Sequence, residues 1–370
     1  MKKRERNYEI LRIVAMLMIV CLHYLSKGGA LEYPTRSLTP TGYVSWFIEA
    51  FCLVAVNVYI LLSGYFGIGK KQTDLKDVFL RIIRIWLQVM FYSVGIGVLF
   101  LMLGKQKFDI YTLLTYVFPI VTEHYWFATA YLLLTLFSPF LNSGVNSINK
   151  RSLQGILLCM LFVFSVAKTV LPMQLPWDKK GYDAFWFVFL YLTGAYLRKY
   201  GVKWIKSRTR AVILYVVCSL MIFSSLLIIR ALYLKYGILE NFITYGYSYN
   251  FLLCYLGAIG LFLSFQSNAK TGEPKTCSKI LQTVSGATFG VYLIHEHINL
   301  RYLWQTWFHC ADFIHAPVFV FVLHMLATIT IVFIGCIGIE ILRKAIMDRL
   351  LDKCFIQSER KKENDTTEEI

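Results

Sequence analysis

YEILRIVAMLMIVCLHYL, residues 8–25, is a stretch of eighteen residues broken only by Glu9, Arg12 and His23 in its apolar character. It follows a basic N-terminus with Lys2, Lys3, Arg4 and Arg6. A basic run before an apolar one has the form of a secretory signal, but no small-x-small cleavage site follows it. More apolar blocks do, so the stretch reads as a first membrane helix.

The rest of the chain repeats the pattern. Of 370 residues, 57% are hydrophobic and only 16% charged. A soluble domain would carry roughly a quarter charged residues. Mean hydropathy is +0.56. The apolar blocks fall at 9–26, 43–66, 78–103, 125–141, 153–171, 184–197, 211–232, 248–266, 281–300 and 317–342. They predict an all-α, polytopic integral membrane helical bundle of about ten transmembrane helices. Continuous blocks exclude a β-barrel, whose strands alternate. The shorter apolar segment 108–121 is expected to be interfacial or re-entrant. Residues 1–345 are expected to form one membrane domain and 346–370 a polar cytoplasmic tail. The end of that tail, QSERKKENDTTEEI at 357–370, has too little apolar surface to fold by itself.

The net charge is +16. With residue 1 inside and the spans alternating, inside segments hold 25 of the 38 Lys and Arg residues, outside segments 8, and the spans five. That bias predicts an N-in/C-in topology and accounts for the basic balance with no nucleic acid. Cys21, Cys52, Cys159, Cys218, Cys254 and Cys336 lie in apolar blocks, and no CxxC pair occurs. They read as small packing residues, implying neither disulfide nor zinc.

Ionisable residues inside spans are costly and therefore candidates for function. Arg12 and His23 are eleven steps apart, within about 20° of three full helical turns, so they share a face. His23 lies roughly 16 Å further toward the outside. Arg81 and Arg84, in FLRIIRIW, sit side by side at i, i+3 near the inner mouth, where two guanidiniums together suit a phosphate group or equally serve as ordinary positive-inside anchors. The segment SGATFGVYLIHEHINL places Ser285 and Tyr292 on one face, with His295 a turn beyond. His297 points away from His295, so no metal pair is expected. His23 and His295 reach similar depth and can converge. Glu49 is a candidate to orient a histidine, or an interfacial carboxylate. Lys168 and Arg230 are expected to snorkel. Tyr125, Trp126, Trp177, Trp186, Trp304 and Trp307 are expected to form an interfacial belt, with Glu123 and His124 just before the fourth span.

Several segments together resemble the membrane acyltransferase-3 family. They are Arg12 and His23 in LRIVAMLMIVCLHY, NVYILLSGYF at 57–66, and Arg81-x-x-Arg84. YWFATAYLLLTLFSPFLN at 125–142 and the run from Ser285 to His295 complete the set. The resemblance runs in order from about residue 8 to 342. One departure is Glu9, in YEILR, where family members often carry Asp. The resemblance implies a multi-pass enzyme of the bacterial cytoplasmic membrane. It would move an acyl group, usually acetyl, from cytoplasmic acyl-coenzyme A to a hydroxyl of an envelope polysaccharide or glycolipid outside, by O-acetylation. It implies Arg12, His23, Tyr292 and His295 as catalytic residues and Arg81 and Arg84 as donor-binding ones, with no metal. Membrane lipid, the acyl-coenzyme A and the glycan acceptor are the implied partners. Some relatives carry a fused extracytoplasmic domain; this chain is expected to carry none, and so to finish the transfer itself or pass the group to a partner transferase.

Two other readings share these features. A non-catalytic transporter or flippase of a lipid-linked saccharide also has interior Arg and His. The asymmetric Arg-to-His line and the lack of internal repeats weigh against it. An acyl-donating subunit for a separate transferase would use the same residues.

Overall fold

The structure is a computed structural model that describes residues 5–68, 75–107, 109–122, 124–171, 178–202, 205, 207–266 and 278–367, with side chains through 347. The described residues form helices and no strands, in the order α1 (Arg6–Lys27), α2 (Pro40–Cys52), α3 (Ala55–Gly67), α4 (Leu75–Met102), α5 (Ile110–Val117), α6 (Trp126–Ser147), α7 (Lys150–Leu161), α8 (Ala167–Val170), α9 (Ala184–Tyr200), α10 (Arg208–Tyr236), α11 (Leu252–Ser264), α12 (Lys279–His295), α13 (Leu303–Trp307) and α14 (Val318–Thr367). Among the described residues, seven stretches are long and apolar enough to cross a membrane: α1, α2 with α3, α4, α6, α7 with α8, α10, and the first part of α14. The remaining apolar blocks form α9, α11 and α12, of 17, 13 and 17 residues. The chain is a multi-pass helical membrane bundle.

Helix α1 is its axis. Leu11, Ala15, Val20, Tyr24 and Leu25 are fully buried, and the helix packs on α3, α12 and α14. On α4, α10 and α14 large apolar residues such as Trp86, Leu99, Ile213, Ile228, Leu326 and Ile334 face outward, as lipid-facing positions should. α11 is short but almost wholly buried between α10 and α3, so it need not match the bilayer thickness.

Small residues set the closest contact. A Cβ on Gly64 would lie 2.0 Å from the Tyr191 carbonyl oxygen, and one on Gly194 would lie 2.3 Å from that of Leu61. α3 and α9 therefore meet backbone to backbone, as small-residue pairs allow. Asn57 ties the same region together. Its amide donates to the Tyr249 carbonyl at 2.7 Å and accepts from the Trp186 indole at 3.0 Å.

Three spans depart from a regular helix, and in two of them a side chain takes a freed carbonyl. The second span breaks between Cys52 and Ala55, and the Tyr215 hydroxyl donates to the exposed Phe51 carbonyl at 2.8 Å. In α6, Pro139 cannot donate to Thr135, and Ser138 Oγ takes that carbonyl at 2.8 Å. Between α7 and α8 the turn widens to a π-helix over Phe162–Val166. The segment expected to be interfacial holds the eight-residue α5, which is largely exposed.

Some expectations change. The polar tail continues from α14 as helix to Thr367. An existing helix extends at one backbone bond per residue, and the tail's Glu, Lys and Arg residues are good helix formers. Lys168 does not snorkel. It is buried and ion-paired with Asp178, which also accepts from Asn250 at 2.7 Å. Arg230 is clasped by the Pro34 and Arg36 carbonyls at 2.9 Å each. Trp186 and Trp304 leave the expected belt. Both are buried, because each indole N–H finds a buried acceptor, Asn57 and the His295 carbonyl respectively. Tyr125 is likewise buried and donates to the Leu293 carbonyl at 2.9 Å. Trp307 is exposed. Trp177 and Glu123 lie outside the described residues. The described cysteines are all unpaired.

Candidate active site

A cavity of about 720 Å³ runs through the bundle beside α1, with Arg12, Met16, Ile19 and His23 along one wall. These positions are on the shared face that the helical period predicts. α3, α6, α9 and α12 complete it with Tyr59, Phe127, Tyr131, Tyr191 and Tyr292 among others.

One end is rich in arginine. Arg12, Arg81 and Arg198 line it together with Glu5 and Glu9. Arg12 donates to Glu9 Oε1 at 2.5 Å. Glu9 also accepts from the Ser285 hydroxyl, which fastens α12 to α1. Glu9 thus holds both Arg12 and Ser285, a role open to either carboxylate. Arg198, at the last turn of α9, donates to the Tyr65 hydroxyl at 3.1 Å and lies 4.0 Å from Glu5. The sequence reading missed Arg198, because it lies in an inside segment among ordinary anchoring cations. The Arg81 and Arg84 pair is divided. Arg81 lines the cavity, whereas Arg84 is exposed and does not. Three helical steps leave two side chains about 60° apart, enough for one to face inward and the other out.

The other end is a histidine cluster. His23 Nδ1 lies 2.8 Å from His295 Nε2 and 3.2 Å from Glu296 Oε1. His295 Nδ1 is 2.6 Å from the Val291 carbonyl. A carbonyl only accepts, so His295 carries its proton on Nδ1 and offers the Nε2 lone pair. His23 must then donate from Nδ1. The network thereby fixes a proton on His23 Nδ1, so that in the neutral ring the lone pair is on Nε2, and His23 lines the cavity. Lys27 is ion-paired to both carboxylate oxygens of Glu296. Glu296 was read only as part of the HEH spelling. It caps α12 one residue past His295, and only the packing of α12 on α1 brings it to His23. Glu49, a candidate either to orient a histidine or to sit as an interfacial carboxylate, bonds to no histidine among the described residues.

His23, His295 and Glu296 present three donor atoms within 4.8 Å of one another, a spacing compatible with a metal. Their hydrogen bonds favour proton sharing instead, since the facing nitrogens are already at contact distance and Lys27 neutralises the carboxylate. His297 turns away, as its position two residues on requires. It meets the Ser93 carbonyl at 3.1 Å. Tyr292 lines the cavity between the two ends, its ring 6.4 Å from that of His295.

The fold and this cavity define an integral membrane protein with a polar site buried between its helices, cationic at one end and histidine-based at the other. The chain is an acyltransferase: residues 5–340 match the family described as the acyltransferase domain of the acyltransferase-3 type, and the protein belongs to that family. Neither the curated proteins nor the solved structures gave a match.

Proposed function

We propose that the protein takes an acyl group, acetyl by preference, from cytoplasmic acyl-coenzyme A and delivers it to a hydroxyl of an envelope polysaccharide or glycolipid on the far side of the bacterial cytoplasmic membrane. The observation that carries this reading is the cavity that joins three arginines to His23. Coenzyme A is anionic, and guanidiniums bind phosphates through charge-assisted hydrogen bonds. Arg81 and Arg198 are the side chains best placed for it, with Arg12 further in and partly neutralised by Glu9. The pantetheine arm follows the α1 wall toward His23.

At that end His23 Nε2 takes the acceptor's hydroxyl proton as the oxygen attacks the thioester carbon. The Glu296 carboxylate faces Nδ1 and steadies the imidazolium that forms. His295 fixes the ring's tautomer. Tyr292 is the available donor to the developing oxyanion. The carbon–sulfur bond then breaks, and the thiolate recovers the proton from His23. A direct transfer needs no partner subunit.

Transfer to envelope glycan in cells, normalised to protein in the membrane, tests this. His23→Gln keeps an amide able to hydrogen-bond but unable to take a proton, and should lose about 10²–10⁴-fold in rate, close to the loss in His23→Ala. Substantial turnover by the Gln variant would remove His23 from the mechanism.

A further inference from the structure

The His23 end of the cavity carries a feature that the transfer step does not use. Trp126 and Tyr249 line the cavity there. Tyr182, just before α9, joins them: its ring lies 4.5 Å from Trp126 and 4.8 Å from Tyr249. Trp126 and Tyr249 are near-parallel, 20° apart, at 5.9 Å. Tyr182 is 46% exposed and Tyr249 only 6%. The three rings therefore lead from the surface into the cavity, at the end opposite the arginines.

Given the acyl-transfer reading, on which this rests, we infer that Trp126, Tyr182 and Tyr249 form the acceptor's subsite. Its ligand is a pyranose that lays its C–H face on the rings. Aromatic faces give a large apolar contact at low entropic cost. The subsite lies apart from the donor's nucleotide, whose phosphates belong with the arginines. A lipid-facing aromatic belt would place these rings outward, whereas two of the three line the cavity.

The test uses the full chain in lipid nanodiscs, with neutral methyl hexopyranosides and N-acetylhexosaminides as probes and glycerol as control. At least one saccharide should quench tryptophan fluorescence saturably, and glycerol should not. Trp126→Phe should abolish the signal, and Tyr182→Ala should weaken binding about tenfold. Binding of radiolabelled acetyl-coenzyme A should stay unchanged in both variants, which also shows that they fold. Quenching by none of the saccharides, or equal quenching in Tyr182→Ala, overturns the subsite. Loss of acetyl-coenzyme A binding in the unaltered protein would instead overturn the donor reading, which the fluorescence arm does not measure.

Discussion

Glu296 sits one residue beyond the last turn of α12, between the Lys27 ammonium and His23 Nδ1. Its contribution to the reaction is to favour the charged imidazole that exists only after proton transfer. Glu296→Gln should therefore lower kcat by about 10²-fold and leave the KM for acyl-coenzyme A unchanged. A purely structural acid would instead lower the amount of folded protein. The single change also leaves Lys27 unpaired in a buried place, which is costly in itself. The double variant Lys27→Met/Glu296→Gln removes both charges and should restore the protein level while kcat stays low. Recovery of kcat in the double variant would show that Glu296 acts only by neutralising Lys27. His23 was legible in the sequence because an interior histidine is costly and shares a face with Arg12. Glu296 was not, because its partner lies 273 positions away in the chain and nothing local distinguishes it from an interfacial acid.

At the scale of elements, the spans could be read directly, since each membrane helix must carry its own apolar length. How they pack could not, because it depends on which faces meet. Gly64 illustrates the difference: within SGYF it is one small residue, but in the bundle it meets the Tyr191 backbone. Gly64→Ala should cost about 1–3 kcal/mol, because a carbonyl cannot move aside as a side chain can. Gly144→Ala on α6 is the control, with nothing within 4 Å of the added carbon. Thermal melts in detergent should show a lowered midpoint for the first variant and none for the second. Equal midpoints would mean that α3 and α9 are not in backbone contact. The face of α4 was also unreadable beyond its i, i+3 spacing. Arg81→Ala should weaken acyl-coenzyme A binding about tenfold, the scale of one charge-assisted hydrogen bond. The exposed Arg84→Ala should change it little. The reverse order in a direct binding titration would place the donor elsewhere on α4.

For the whole molecule, side-chain contacts sort the helix ends into two groups. Glu5, at the start of α1, approaches Arg198 at the end of α9. Lys344, on α14, donates to the Gly286 carbonyl in the first half of α12 at 2.6 Å. These ends belong to the segments where Lys and Arg are dense. At the opposite end Lys27 joins α1 to Glu296 beyond α12. Thr41, on α2, donates to the Ala316 carbonyl before α14 at 3.2 Å, and Arg230 reaches back to the loop after α1. These groups match the alternation assumed in dividing the charges, so the bias of 25 to 8 refers to two opposite ends of one bundle. By the positive-inside rule the arginine end is expected in the cytoplasm, the compartment where coenzyme A is made, and His23 toward the outside. A reporter fused after Ile370 should accordingly be cytoplasmic, and one inserted near Leu175, outside the described residues, should be extracytoplasmic. An extracytoplasmic C-terminus would reverse the cavity. The donor would then have to enter past the rings, and the path of transfer from Arg81 to His23 would have no cytoplasmic source.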